Sequence, residues 1–371
     1  MKVFHLIVGL GTGGAENMLL RLVSALPDHK HVIVSLTNFG VIGHRLVDLG
    51  CTVYALELHP KTGLQSFYKL WKLIRFYHPD VIQTWMYHSD LLGGLIGRLA
   101  GVRNIIWNVR NTEIPQRNWS ITGVIIKLCS VLSTYIPRTI ICCAHASMKT
   151  HALLGYRVDK MIVIPNGYNP QDWIIPTKSK SDFKKVLELP GEILTIGIVG
   201  RYDWLKGYDV FIEAAALLSE RIDRNILFVM VGRNIDYNNA ELLSIINEKG
   251  GHAKFKLMGE RNDISHLMYA LDIFCLASRA EGFPNVVAEA MLMQVPCVVT
   301  DVGDAALIVG ETGKVVPPNQ PIALADALQS IESVNDDQRQ EIGREARRRI
   351  LKHFDINIVA QRYEKLYMNN I

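Results

Sequence analysis

Apolar positions along this chain fall into two alternating patterns. Short β-branched runs of four to six residues read as buried strands, and longer stretches with three- and four-residue apolar spacing read as helices. In the first half the runs are Val3–Val8, Val32–Leu36, Val81–Thr84, Ile105–Asn108 and Thr139–Cys142, with a helix over Ala15–Ala25 after the first. In the second half they are Leu194–Val199, Leu227–Val231, Phe255–Met258, Ile273–Leu276 and Val295–Thr300, each followed by a glycine or polar turn and a helical stretch. Strands separated by helices predict a parallel sheet covered on both faces, so the expected fold class is α/β with two doubly wound, Rossmann-like domains. Between the halves, Pro165–Pro190 is proline-rich and polar and reads as the linker. The tail from Asp336 to Asn370 reads as arginine-rich helix with no further sheet. Ligands of such sheets bind beyond the carboxyl ends of the strands, so a cleft between the domains is the expected site.

Composition sharpens this without changing it. A length of 371 residues suits two domains, and 49% hydrophobic with 20% charged residues is a globular composition. No apolar run reaches bilayer length, and the N-terminus passes straight from strand to glycine turn without a cleavage site, so a cytoplasmic chain is expected. The six cysteines form no CxxC pair and sit in apolar surroundings, which predicts reduced, buried thiols. The net charge of +4 hides an asymmetry: residues 1–170 hold 17 basic and 8 acidic residues, residues 171–371 hold 23 and 28. A basic first half fits an anionic partner such as a membrane surface, a phosphorylated acceptor or nucleic acid, or a solvated surface with no partner. The segment Ile114–Arg138, with Arg117, Trp119 and Lys127 among apolar positions, is either a membrane contact or a core helix.

Three stretches carry chemistry. In Ser278–Gly303, Glu281 lies in a turn with Gly282 and Pro284, and Glu289 lies in the helix that the turn opens, expected over Asn285–Met293. Pro284 suits a helix start, and the first N–H groups of that helix can bind hydroxyls or phosphate. Two carboxylates at the mouth of an apolar unit suggest a polyhydroxy ligand, one for a sugar and one for a ribose; singly, each also reads as a cap or a surface residue. In Gly200–Gly207, Arg201 and Lys206 flank a turn at the end of a strand, where cations can neutralise a diphosphate leaving group. Gly9–Gly14 matches G-x-G-x-x-G, but the second strand ends Ser35-Leu36-Thr37-Asn38 without the acidic residue a dinucleotide ribose needs. Phosphate approach at a helix start, or a purely structural turn, remains for these glycines.

These stretches resemble the family 4 retaining glycosyltransferases of the GT-B fold. Glu281-Gly-Phe-Pro-x4-Glu289 is similar to that family's E-x7-E motif. Gly13-Gly-Ala-Glu16, Ile164-Pro-Asn-Gly167, Gly200-Arg-x4-Lys-Gly207 and Thr300-Asp-Val-Gly303 appear in the family's order. Trp85–Asp90, Gly93-Gly94 and Trp107–Asn111 further resemble bacterial members that assemble surface polysaccharides. Asn169, where the family often has Asp, and Asp304-Ala305-Ala306 depart from the pattern. The resemblance implies an acceptor-side domain over 1–168, a nucleotide-sugar domain over 169–353, and a helix over 354–371 packing back on the first. It implies catalytic roles for His88, Arg201, Lys206 and Glu281. Donor contacts would come from Gly13, Gly14, Arg261, Gly282, Phe283, Pro284, Asn285 and Glu289, and acceptor contacts from Tyr87, Asp90 and Arg110. No cofactor or metal is expected. The implied reaction moves a sugar from a nucleotide diphosphate, UDP favoured over GDP, to a lipid-linked saccharide at the inner membrane face, in O-antigen, capsule or related assembly. The rival readings are a sugar-nucleotide epimerase or hydrolase, an NAD-dependent oxidoreductase, and a non-catalytic sugar-nucleotide-binding protein.

Overall fold

The computed structural model describes residues 1–59, 63–112, 120–191 and 193–368. The chain divides into two compact units, residues 1–169 with 354–371, and residues 170–353.

In the first unit the order is β1 (Lys2–Ile7), α1 (Gly14–Ala25), β2 (Lys30–Ser35), α2 (Gly40–Asp48), β3 (Thr52–Ala55), α3 (Gly63–Tyr77), β4 (Val81–Trp85), α4 (Tyr87–Leu99), β5 (Ile105–Val109), α5 (Ile121–Leu132), β6 (Thr139–Cys142), α6 (His145–Leu153) and β7 (Met161–Val163). The second unit holds α7 (Lys180–Val186), β8 (Leu194–Val199), α8 (Tyr208–Arg221), β9 (Ile226–Val231), α9 (Ala240–Lys249), β10 (Lys254–Leu257), α10 (Ile264–Ala270), β11 (Ile273–Leu276), α11 (Asn285–Leu292), β12 (Cys297–Thr300), α12 (Ala305–Val309), β13 (Lys314–Val316), α13 (Pro321–Glu332) and α14 (Asp336–His353). The chain then returns to the first unit with α15 (Ile356–Met368).

Both sheets are parallel, with orders β3-β2-β1-β4-β5-β6-β7 and β10-β9-β8-β11-β12-β13. Winding starts at an inner strand, runs to one edge, and resumes on the other side. The reversal lies between β1 and β4 in one unit and between β8 and β11 in the other. Loops leaving those strands splay to opposite faces and open a crevice at the carboxyl ends.

Continuous apolar runs are required because both faces are covered. In the first unit one layer packs α1, α2 and α15 against the sheet and the other packs α3, α4 and α5. α15 is anchored by Ile356, Val359 and Tyr363 in the core, with Asn108 Nδ2 donating to the Tyr363 hydroxyl at 3.1 Å. The second unit has one continuous core around Phe211, Phe228 and Met230.

Three strands have no counterpart in the apolar pattern: β3, β7 and β13. All are edge strands of three or four residues, and no more than one residue of each is buried. The expected linker Pro165–Pro190 is too long. Its second half folds as α7, N-capped by the Ser179 hydroxyl, with Lys184 Nζ on Asp272 at 2.7 Å. The expected strand Val295–Thr300 starts only at Cys297, because Pro296 has no N–H for the ladder. The six cysteines are free thiols, five of them buried.

Candidate active site

In the second unit the loop after β8 and the loop after β11 meet at the reversal point. Asp203 Oδ1 accepts from the Leu205 N–H at 3.0 Å and shapes a turn that ends on Gly207 in the left-handed region, φ 67°. A Cβ on Gly207 would lie 2.1 Å from the Ala277 carbonyl, so only glycine lets the two loops touch. The turn delivers Lys206, whose Nζ donates to Glu281 Oε1 at 2.6 Å. The Ser278 hydroxyl donates to the same oxygen at 2.7 Å. The Lys206 and Glu281 side chains are 23% and 12% exposed, so the pair is partly desolvated and still reachable.

The loop carrying Glu281 is fastened from below. The Thr300 hydroxyl donates to the Ser278 carbonyl at 2.7 Å, and the Asp304 N–H donates to the Gly282 carbonyl at 2.9 Å. A Cβ on Gly303 would sit 2.3 Å from that carbonyl. The departure Asp304-Ala305-Ala306 thereby gains a place: buried Asp304 precedes α12 directly beneath this turn. Gly282, Phe283, Pro284 and Asn285 lead into α11, with Pro284 at the N-cap and no side-chain hydrogen bond in that role. Its first N–H groups therefore favour an outside anion or hydroxyl. α11 ends at Leu292, one residue short of expectation, and Glu289 is half-buried within it.

Arg201 is more loosely held. Its Nε donates to Asp203 Oδ2 at 3.0 Å and half of its side chain is exposed. Arg261 follows β10, two strands from the reversal point, and forks onto Asp263 with two contacts of 2.7 Å. It is thus at the same edge of the sheet as Lys206 but not in the same cluster.

Arg279 was missed in the sequence, although it stands two residues before Glu281. Its guanidinium forks onto Asp209 at 2.8 and 2.6 Å, donates to the Trp204 carbonyl at 2.7 Å and lies 4.5 Å from the Trp204 ring centroid. Its N–H donates to the Leu205 carbonyl at 2.7 Å. Arg279 thereby fixes the 203–206 turn, and with it the lysine. Burial pushes the Asp209 carboxyl up, but the Arg279 pairing outweighs this and holds it below the usual carboxylate range.

In the first unit, Gly13 and Gly14 open α1 at the end of the β1 loop, again without a side-chain cap. A Cβ on Gly13 would stand 2.4 Å from Glu16 Oε2. Where a dinucleotide fold places its ribose carboxylate, this chain has Thr37 and Asn38. Asn38 Oδ1 accepts from the Leu10 N–H at 3.3 Å and the Thr37 hydroxyl donates to the Val8 carbonyl at 2.7 Å. Both brace the glycine loop.

β4 is followed by Met86, a non-glycine residue at φ 72° and ψ 160°, a region that glycine normally occupies. That kink starts α4 and brings His88 to its first turn, half-buried, with burial lowering the imidazole pKa and favouring the neutral ring. Arg110, at the end of β5, stacks 5.4 Å from the Trp85 ring centroid and donates to Asn108 Oδ1 at 3.3 Å and to Asn166.

Two acceptor-side candidates need correction. Tyr87 is 3% exposed and its hydroxyl pairs with His151 Nε2 at 2.8 Å. Asp90 is fully buried, takes the Thr84 hydroxyl at 2.6 Å, and has its pKa raised well above the carboxylate range by burial. Neither side chain reaches a surface where an acceptor could meet it. The polar residues at the start of α4 face the sheet because Gly93, Gly94 and Gly97 draw the helix close: a Cβ at any of them would fall 2.6–2.7 Å from a core side chain. Of the segment Ile114–Arg138, residues 114–119, Arg117 and Trp119 among them, lie outside the described residues; from Ser120 onward it is α5 with its N-cap and the turn after it.

Two doubly wound parallel units, with paired charge at the reversal point of the second, define the GT-B class of glycosyltransferase fold. Residues 12–172 match the model for "Glycosyltransferase Family 4" and residues 193–333 the model for "Glycosyl transferases group 1". The chain belongs to the family 4 glycosyltransferases.

A relative from Campylobacter jejuni, N,N'-diacetylbacillosaminyl-diphospho-undecaprenol alpha-1,3-N-acetylgalactosaminyltransferase, is 26% identical over 93% of both chains. The Escherichia coli UDP-Gal:alpha-D-GlcNAc-diphosphoundecaprenol alpha-1,3-galactosyltransferase is 26% identical over 83% of this chain and 80% of its own. Among solved structures, Anabaena Alr3699/HepE in complex with UDP superposes with a TM-score of 0.86 at 21% identity over the whole of both chains. WaaG, a glycosyltransferase involved in lipopolysaccharide biosynthesis, superposes at 0.72 and 14% identity over 99% of each.

Proposed function

We propose that this enzyme transfers a sugar, with retention of anomeric configuration, from a UDP-sugar to a saccharide carried on a lipid diphosphate, in assembly of an O-antigen, capsule or related polysaccharide. The observation that carries the reading is the Lys206–Glu281–Ser278 cluster at the reversal point of the second sheet. A lysine there faces a diphosphate, and a carboxylate beside it can take the hydroxyls of a transferred sugar. The names of two relatives over most of their length, one with a UDP-sugar donor and both with diphospho-undecaprenol saccharide acceptors, support UDP and a lipid-linked acceptor.

In the proposed step the bond between the anomeric carbon and the diphosphate oxygen breaks. A bond to the acceptor oxygen forms on the same face, and the acceptor proton passes to a diphosphate oxygen. Arg201, Lys206 and the start of α1 at Gly13–Gly14 would carry the developing charge of the leaving group, the work a divalent metal does in other transferases, so no metal is needed. Glu281 and the 282–285 backbone would hold the transferred sugar, Glu289 the ribose, and Arg261 the region of the base. His88, as a neutral imidazole, would meet the sugar or the acceptor, with Arg110 near the acceptor. A chain acting at the inner face of the membrane suits such an acceptor, and among the described residues no helix is long and apolar enough to cross a bilayer.

The test is thermal stabilisation of the purified chain by a panel of UDP- and GDP-sugars, with and without chelator, followed by turnover with and without acceptor. UDP-sugars are expected to raise the melting point, chelator to change nothing, and Lys206→Ala to remove the shift. Donor consumed at the same rate without acceptor would instead establish the epimerase or hydrolase reading.

A further inference from the structure

At the edge of the second sheet opposite the Lys206–Glu281 cluster lies a cavity of about 610 Å³. Leu194, Asp272 and Pro296, at the amino ends of β8, β11 and β12, line it together with residues of α7 and α14. The six residues of β8 put about 20 Å between this cavity and the loop that carries Lys206. The volume is that of a small-molecule site. Its lining is rich in polar groups, among them Ser181 and Gln294. Gln294 follows α11 at φ 60°, in the left-handed region that favours glycine. Its side-chain amide makes no hydrogen bond among the described residues and is available to a ligand.

Five basic groups line the cavity against two acidic ones, in the half of the chain where acidic residues outnumber basic ones 28 to 23. Arg224 and Arg344 have exposed side chains and pair with Glu332 and Glu341. Three cations lie further in. Lys184 is 4% exposed and is answered by Asp272. Arg339 is 6% exposed; it donates to the Glu332 and Val334 carbonyls at 3.1 and 3.3 Å and to Asp336, whose carboxylate is 75% exposed. Lys180, partly buried, donates to the Leu271 carbonyl at 2.9 Å and lies 5.8 Å from the Tyr269 ring centroid. It has no carboxylate partner among the described residues. Burial pushes its pKa down to about 8; Asp272 opposes this, and Lys184 and Arg339 add to it. Buried cations are ordinarily paired. Here Lys180 and Arg339, near enough for one to be felt by the other, share one carboxylate that faces solvent. The unmet charge is close to two units in one place. A phosphate monoester carries about −1.5 to −2 at neutral pH on one group with three acceptor oxygens, whereas a dicarboxylate divides the same charge between two ends. Guanidinium and ammonium groups are the side chains that hold phosphate.

We infer that this cavity is a second ligand site, which binds the phosphate monoester of a small polyhydroxy compound, the phosphate held by Lys180 and Arg339 and the hydroxyls by Gln294 and Ser181. The site is independent of sugar transfer: its occupation requires no donor, no acceptor and no turnover.

The experiment is isothermal titration calorimetry of the full chain with glucose 6-phosphate, inorganic phosphate and succinate, at fixed ionic strength and pH 7.5. Glucose 6-phosphate is expected to bind one to one and more tightly than inorganic phosphate, and succinate at least about tenfold more weakly than the ester. Lys180→Met keeps most of the side-chain volume and is expected to weaken the ester at least about tenfold. Gln294→Gly puts glycine where the backbone favours it, and is expected to weaken the ester by about threefold to tenfold while leaving inorganic phosphate nearly unchanged. Between pH 7.5 and 9 wild-type affinity is expected to fall by about fivefold to tenfold as Lys180 loses its proton, among Lys184, Asp272, Arg339 and Tyr269, and Lys180→Met is expected to show no such fall. Lys206→Met is expected to bind the ester as wild type does. The pH series and Gln294→Gly carry the test whether or not Lys180→Met folds. Absence of binding by the ester, or succinate bound as tightly, overturns the proposal. So does an affinity for the ester that neither Gln294→Gly nor the rise in pH changes. Binding that Lys206→Met abolishes and Lys180→Met leaves intact also overturns it, because the anion then sits at the other edge of the sheet. None of these results touches the transferase reading, which rests on Lys206 and Glu281.

Discussion

Lys206→Met tests whether the Lys206–Glu281 pair is scaffold or machinery. The substitution keeps most of the side-chain volume and removes the charge. Glu281 then retains, of its two hydrogen bonds described above, only that from the Ser278 hydroxyl at 2.7 Å. Removing one partner of a fully buried ion pair costs about 3–5 kcal/mol. With exposures of 23% and 12% both groups keep some solvent, so about 2 kcal/mol is expected here. For a unit of this size that lowers the melting point by about 4–8 °C. Lys206→Met/Glu281→Gln removes both charges and is expected to recover stability to within about 1 kcal/mol of wild type. Transfer behaves differently if Lys206 stabilises the leaving diphosphate: kcat/KM falls by about 10²–10³ in Lys206→Met and is not recovered in the double variant. Calorimetry and initial rates with a UDP-sugar read the two quantities separately. Recovery of both stability and transfer in the double variant, or unchanged transfer in Lys206→Met, refutes the assignment.

Arg279→Lys keeps the charge but loses the fork onto Asp209 and the carbonyl of Trp204, and is expected to destabilise the second unit by about 1–3 kcal/mol in urea unfolding, with lower kcat/KM through misplacement of Lys206. The first unit is expected to lose stability as the pH falls below about 6.5. Burial, reinforced by His31, holds His5 well below the usual imidazole value; burial and nearby His29 lower His31, despite the opposing hydrogen bond to the Leu26 carbonyl. Protons therefore favour the unfolded chain. Asp90, raised by burial, opposes this trend, so His5→Asn/His31→Asn is the control, and a flatter profile is expected in hydrogen exchange of first-unit amides between pH 7 and 5.5. The carboxyls of Asp209 and Asp272 lie below their usual value, so their contribution to the second unit holds at neutral pH and is lost only on acidification below about 4. Tyr87→Phe leaves His151 Nε2 without the hydroxyl and is expected to cost about 1–2 kcal/mol in the first unit by chemical denaturation.

The central strands were legible because a strand covered on both faces has no freedom to be polar: Leu194–Val199 and Thr139–Cys142 stand in the structure with the bounds their apolar runs predicted. The edge strands were not, since Lys314–Val316 has solvent on most of its length and needs no apolar run. The chemistry of the second unit was legible for a similar reason. Glu281, Lys206 and Gly207 lie in the loops that directly follow strands β11 and β8, so their place in the fold follows from their place in the chain. Arg279 escaped because its role depends on Asp209, seventy positions away, and no local pattern announces that pairing. Tyr87 and Asp90 misled because a polar residue after a strand reads as a ligand contact. The glycines at 93, 94 and 97 that sink α4 onto the sheet were visible, but their effect on neighbouring side chains appears only once the helix is packed.

The most direct measurement is transfer by the purified chain from a UDP-sugar to an undecaprenyl-diphosphate-linked saccharide, with the anomeric configuration of the new linkage read by NMR. An α-configured donor is expected to give an α-linked product, with transfer abolished by Glu281→Ala. An inverted linkage would contradict the retaining mechanism. Absence of transfer from every UDP-sugar, to every lipid-diphosphate saccharide tried, would contradict the assignment itself.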